Sequence, residues 1–177
     1  MNDRMKEMIY QSKSTQEVLY SGIYKDRKFA IVSLGTHPCA YIECKLKRTF
    51  DYDDSCFYGI DVHGGLTFCG GAYWDKEDKS IYLGWDYAHY SDFMGYKLSY
   101  DNSLGTKEGR MWTTAEIYQT VCSAIDELLK VEENDWKRQT KNFQQVKDKM
   151  WDIIKSENLI VNNQNIDYLI QKVFKEN

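Results

Sequence analysis

The sequence predicts an α+β fold, an antiparallel β-sheet of hairpins followed by C-terminal helices. Three observations carry this: short runs rich in β-branched and aromatic residues before residue 112, charged turns between them, and a switch to helical periodicity after a capping box at Thr113. Strands first and helices last argue for segregated α+β rather than a doubly wound sheet. The chain of 177 residues suits one domain, 1–177, with a sheet-forming core at about 15–112 and a helical region at about 113–177.

Taken in order, Met5, Met8 and Ile9 lie at helical spacing and predict a short helix over residues 1 to 12. Val18 to Tyr24, the charged turn Lys25 to Lys28 and Phe29 to Leu34 then predict a β-hairpin. The only proline, Pro38, suits the entrance of a third strand ending near Cys44, because proline has no N–H to give an interior ladder. After an Asp-rich loop at 49–56, Ile60 to Phe68 and Ser80 to Trp85 predict a second hairpin around the run Asp75 to Lys79. Thr113-Thr114-Ala115-Glu116 opens a helix with Ile117, Val121, Ile125, Leu128 and Leu129 on one face. A second helix is expected from Asn134 to Lys155 with Phe143, Val146, Met150, Ile153 and Ile154 apolar, and a third from Gln164 to Phe174. The polar stretch 131–142 is the candidate hinge.

Composition narrows the function classes. At 42% hydrophobic and 28% charged the chain is globular, and a net charge of −4 argues against coating duplex nucleic acid. The five cysteines show no CxxC pair, so they read as reduced thiols of a cytoplasmic protein rather than a zinc ribbon or disulfide framework. The N-terminal segment lacks the apolar core of an export signal, and no apolar run approaches the ~20 residues of a membrane span. A soluble protein without a membrane partner is expected.

The chemistry concentrates around His63, Asp86, His89 and Asp92. If the second hairpin turns near residue 76, antiparallel pairing joins positions whose numbers sum to about 153, which sets His63 opposite residue 90. The D-x-x-H-x-x-D spacing aligns Asp86, His89 and Asp92 if the strand runs into a helical turn. Two imidazoles and two carboxylates can hold a divalent metal, perform acid–base chemistry or hydrogen-bond a polar ligand. Gly64 and Gly65 allow close backbone approach, Thr67 adds a hydroxyl, and Trp85 joins other aromatics able to stack on a nucleobase. His37, before Pro38, is a further candidate lining residue, and with Cys39 two positions on it can share a strand face. The bland alternatives are a histidine–aspartate tie at the end of the hairpin, Asp86 and Asp92 as turn caps, and aromatics filling the core. No Walker loop, GxGxxG turn or nucleophile elbow is present.

Three segments, His37-Pro38-Cys39-Ala40-Tyr41-Ile42, Val62-His63-Gly64-Gly65-Leu66-Thr67 and Gly84-Trp85-Asp86-Tyr87-Ala88-His89-Tyr90-Ser91-Asp92, stand in that order. In them the chain resembles small proteins of phage and prophage genomes that carry H-x-C-x-Y-[VI], V-H-G-G-[LI]-T and G-[WF]-D-x-A-H-x-x-D. The resemblance runs from His37 to Asp92 and implies an accessory protein acting in a bacterial cytosol, in the manner of counter-defence proteins that sequester or degrade nucleotide signals. Three expectations follow. One is a protein that binds a nucleotide-derived signal, as a homo-oligomer if two copies complete the site. Another is a metal-dependent hydrolase or phosphodiesterase using His63, Asp86, His89 and Asp92. The last is an inhibitor of a host protein that works through the C-terminal helices or the acidic surface.

Overall fold

In a computed structural model, the structure describes residues 16–93, 109–158, 160 and 168–169. The helix expected over residues 1 to 12 lies outside the described residues, as does the helix expected from Gln164 to Phe174 apart from Tyr168 and Leu169, which are helical. By its contacts the chain divides into two compact units, Met1–Glu132 and Glu133–Asn177.

Five strands, β1 (Glu17–Tyr24), β2 (Arg27–Ser33), β3 (Pro38–Glu43), β4 (Phe68–Gly71) and β5 (Ile81–Asp86), form one antiparallel sheet in the order β1-β2-β3-β5-β4. The first hairpin turns on Lys25 and Asp26, both at positive φ (46° and 61°), the conformation whose twist matches that of the flanking strands. Pro38 opens β3 as expected, opposite Ser33.

The second hairpin differs from the expectation. Residues 60–67 form no strand; β4 begins only at Phe68, and Phe68↔Gly84 and Gly71↔Ile81 pair one step away from the predicted register. The apolar residues that suggested a longer strand have another use. Ile60 and Val62 are buried in the core beside Phe57 of the 3₁₀ turn Ser55–Phe57, so their apolar spacing records burial of a loop rather than a ladder.

Alternation along the strands splits the core in two. Leu19, Phe29, Ile31, Ala40, Ile42, Leu83, Trp85 and Tyr87 meet Ile117, Val121, Ala124, Ile125 and Leu128 of the helix α1 (Thr114–Ser156). Ala30, Val32, Cys39, Tyr41 and Tyr82 face the other way, covered by Ala72, Phe68, Tyr73 and Trp74. The helix starts on the predicted capping box: Thr113 N–H donates to Glu116 Oε2 at 2.8 Å, and Glu116 N–H donates to Thr113 Oγ1 at 3.2 Å.

The predicted break at 131–142 does not occur. One helix continues to Ser156, because that stretch holds neither proline nor glycine and Glu132, Glu133, Lys137, Arg138, Gln139 and Lys141 are good helix formers. The boundary between the two units nonetheless falls within that stretch. In the first unit the helix is tied to the sheet by Glu132, which pairs with Arg27 and accepts the Lys45 N–H at 2.6 Å. In the second unit Val146, Met150, Ile153 and Ile154 are half-buried, whereas Trp136, Phe143 and Trp151 are exposed. Among the described residues no helix is long and apolar enough to cross a membrane.

Candidate functional site

The site assembles at the end of the sheet where β3 begins and β5 leaves. A β-turn, Val62 to Gly65, is closed by Gly65 N–H donating to Val62 C=O at 3.0 Å, and presents His63. Glu127 of α1 pins this loop by accepting the Asp61 N–H at 2.8 Å. After β5, a second turn is closed by Asp92 N–H donating to His89 C=O at 2.9 Å, which brings His89 and Asp92 onto one side. Residues 109–112 then return alongside: Arg110 N–H donates to Ser91 C=O at 2.7 Å and Phe93 N–H to Arg110 C=O at 3.0 Å. That return delivers Trp112.

At the centre is Asp92, whose side chain is 1% exposed. His63 Nε2 lies 2.7 Å from Asp92 Oδ2, and because an ionised carboxylate only accepts, the proton sits on Nε2. The His89 backbone N–H donates to the same oxygen at 2.9 Å, and Trp112 Nε1–H donates to Oδ1 at 2.8 Å. Burial pushes the Asp92 carboxyl up, but the donors from Trp112, His63 and His89 outweigh it and hold it below the ordinary carboxylate range. Asp92 is therefore a buried anion that orients imidazoles.

The rings around it form a compact stack. His63 lies flat on Tyr87 (5.0 Å between centroids, 9° between planes), meets His89 edge to face (4.8 Å, 89°) and packs at a tilt against Trp112 (4.8 Å). The Arg110 guanidinium lies 3.7 Å from the centroid of the Trp112 ring and reaches Glu116 at 3.1 Å. His63 and His89 are partly open, at 24% and 37% side-chain exposure, while Tyr87 is buried beneath.

Several predicted residues take other positions. His63, His89 and Asp92 come together with donor atoms within 4.8 Å of one another, but Asp86 is not among them. Its carboxylate caps its own turn through Ala88 N–H (3.0 Å) and accepts the Thr67 hydroxyl at 3.3 Å, so the expected four-residue convergence is a three-residue one. The reason is parity: Asp86 falls on the face of β5 opposite Trp85. Trp85 itself is 1% exposed and donates its Nε1–H to Tyr87 Oη at 3.1 Å, which makes it core rather than a stacking surface for a ligand.

Gly64, expected to admit a ligand, instead admits His89: a Cβ there would stand 2.0 Å from the His89 ring. Gly65, at φ 85°, has open space around its missing side chain. His37 stands at the same end of the sheet, near Asp86, with Nδ1 2.8 Å from Thr36 Oγ1. Its burial lowers its pKa, although Asp86 and then Asp92 act to raise it. Cys39 is buried, its thiol pushed up to about 12 by burial, and so is no nucleophile.

Trp112 and Arg110 escaped the sequence reading. Nothing in the local pattern marks them, since their partners lie across a chain return that only the fold supplies. No family model, no curated protein and no solved structure matches the chain.

Proposed function

We propose that the protein captures a nucleotide-derived signal at the His63–His89 end of the sheet, acting in the bacterial cytosol as a phage-type counter-defence protein. The observation that carries the reading is the pair of half-exposed imidazoles, locked by a buried carboxylate and backed by Tyr87 and Trp112 with Arg110 beyond. Such a surface offers hydrogen-bond donors to phosphate oxygens and ring faces to a base. The phage assignment and the cytosolic location rest on the three sequence motifs and the unpaired cysteines. The net charge of −4 fits a small ligand better than duplex nucleic acid. A homo-oligomer would extend the site.

A second reading, hydrolysis of such a signal, is favoured by one feature: His63 is held in a single tautomer by Asp92, as a general acid or base requires. The two readings part in one experiment. Purified protein is incubated with cyclic dinucleotides and cyclic ADP-ribose-type compounds and filtered; the filtrate and the material released by heating are then chromatographed. A compound that leaves the filtrate and returns intact after heating supports capture, and one that returns altered supports turnover. If every compound stays in the filtrate, the proposal fails for this class. An inhibitor acting through the exposed Trp136, Phe143 and Trp151 then takes its place.

A further inference from the structure

We infer that His63, His89 and Asp92 are the protein ligands of a divalent transition-metal ion, with at least one coordination position left open toward solvent. The inference rests on the reading of this end of the sheet as the functional site, and it is tested without any nucleotide.

Geometry is the first support. His63 Nε2 and His89 Nδ1 stand 2.7 and 3.4 Å from the same oxygen, Asp92 Oδ2. Ligands bound tetrahedrally at 2.0–2.1 Å from an ion are about 3.3 Å apart; the His89 contact has that span, the His63 contact has to open, and all three donor atoms lie within 4.8 Å of one another. Ligation by His63 uses the Nε2 lone pair of the tautomer that carries its proton on Nδ1.

The second support is a ring nitrogen that makes no hydrogen bond. His89 Nδ1 is buried and has no hydrogen-bond partner among the described residues, an arrangement that costs free energy unless something occupies it. The third is the supporting shell. Trp112 Nε1–H occupies Oδ1, and the His89 N–H steadies Oδ2, which is how ligating carboxylates are held in line. Glycine is required at two supporting positions: at Gly64 for the His89 ring, and at Gly109, where a Cβ would come within 2.3 Å of the Asp92 backbone.

The donor set also selects the ion. Two imidazoles and one carboxylate suit zinc and its first-row neighbours, whereas magnesium and calcium prefer oxygen ligands. Three protein ligands are the number found where a metal keeps a place for water or substrate; a closed structural site has four. The His63 and His89 side chains are 24% and 37% exposed and Asp92 1%, so the imidazole side is the one from which a phosphate oxygen of the captured molecule can approach.

The test uses the full chain, stripped with chelator and titrated with Co2+ and Zn2+ by calorimetry and visible absorption. The expected result is one ion per chain with cobalt d–d bands and no thiolate-to-cobalt charge transfer. His89→Gln should weaken binding more than about 100-fold, and Trp112→Phe by about 10 to 100-fold at unchanged stoichiometry. Circular dichroism confirms that each variant folds, and His89→Gln carries the decision if His63→Ala does not. Absence of binding at millimolar metal overturns the inference, as does binding that His89→Gln leaves unmoved or that shows thiolate bands. A protein that binds cobalt here yet ignores every nucleotide refutes the ligand reading alone; one that captures a nucleotide yet binds neither cobalt nor zinc refutes the metal alone.

Discussion

Substituting Gly64 by alanine tests how the site is built. The new Cβ would lie 2.0 Å from His89 Cε1 and Nε2, where ordinary contacts begin near 3.4 Å, so the ring has to retreat by more than an ångström. Retreat forfeits the edge-to-face contact with His63, worth about 0.5–1.5 kcal/mol. The backbone at φ 70° adds about 1–2 kcal/mol for a residue with a Cβ. Together these predict a loss of about 2–3 kcal/mol in urea unfolding, with large shifts of the His63 and His89 imidazole resonances. Gly65→Ala is the control. Its φ of 85° carries the same backbone cost, but nothing lies within 4 Å of the added Cβ. It should lose only the backbone part, about 1–2 kcal/mol, and leave both histidine spectra in place. Equal losses and equal spectra for the two variants would refute the packing of His89 over the turn.

Further outcomes follow from the scaffold. Glu132→Ala removes the buried carboxylate that Arg27, 13% exposed, pairs with, leaving it the exposed Asp26 at 3.5 Å, and takes the acceptor from the Lys45 N–H, so unfolding should become easier by about 3 kcal/mol, read from the urea midpoint. Thr113→Ala removes half of the capping box and should cost about 1 kcal/mol in thermal or urea melts, leaving the imidazole resonances unchanged. Asp78 carries a pH dependence. Burial pushes its carboxyl up, but the Ser80 N–H, the Tyr82 hydroxyl and the Lys28 ammonium hold it well below the ordinary carboxylate range. The unfolded chain therefore binds the proton more readily. The stability Asp78 contributes is complete above its unfolded pKa of about 3.9 and drains away as pH falls through the lower folded value. The stability gap between wild type and Asp78→Asn should be constant near neutrality and shrink on acidification; a gap that widens in acid contradicts the assignment.

Much of this architecture is legible in the sequence because it is local. The β1–β2 hairpin follows from β-branched and aromatic runs around a charged turn, Pro38 marks the start of β3, and Thr113 with Glu116 marks the start of α1. In each, neighbours in the chain satisfy one another's backbone groups, so the residues that carry the signal also carry the stability. The apolar face of Ile117, Val121, Ile125 and Leu128 belongs to the same class, since helical period and burial coincide.

Two misreadings share one cause. Apolar residues at 60–68 were consistent with a strand, and polar residues at 131–142 with a break, because side-chain character reports burial and not backbone conformation. Ile60 and Val62 are buried in a loop, and α1 runs unbroken through a polar stretch without proline or glycine in which Glu, Lys, Arg and Gln favour helix.

The sequence by itself determined the fold class, the two hairpin turns and the start of the long helix, and it grouped His63, Asp86, His89 and Asp92, of which the structure brings together His63, His89 and Asp92. Tertiary structure alone decided that Asp86 turns aside, that Gly64 makes room for His89, and that Trp112 and Arg110 complete the site. The physical reason is range. A cap or a turn is closed by atoms a few residues apart, as the His89 N–H and Asp92 are, whereas the donors from His63 and Trp112 come from segments that share no sequence pattern with Asp92 and meet it only once the chain has folded.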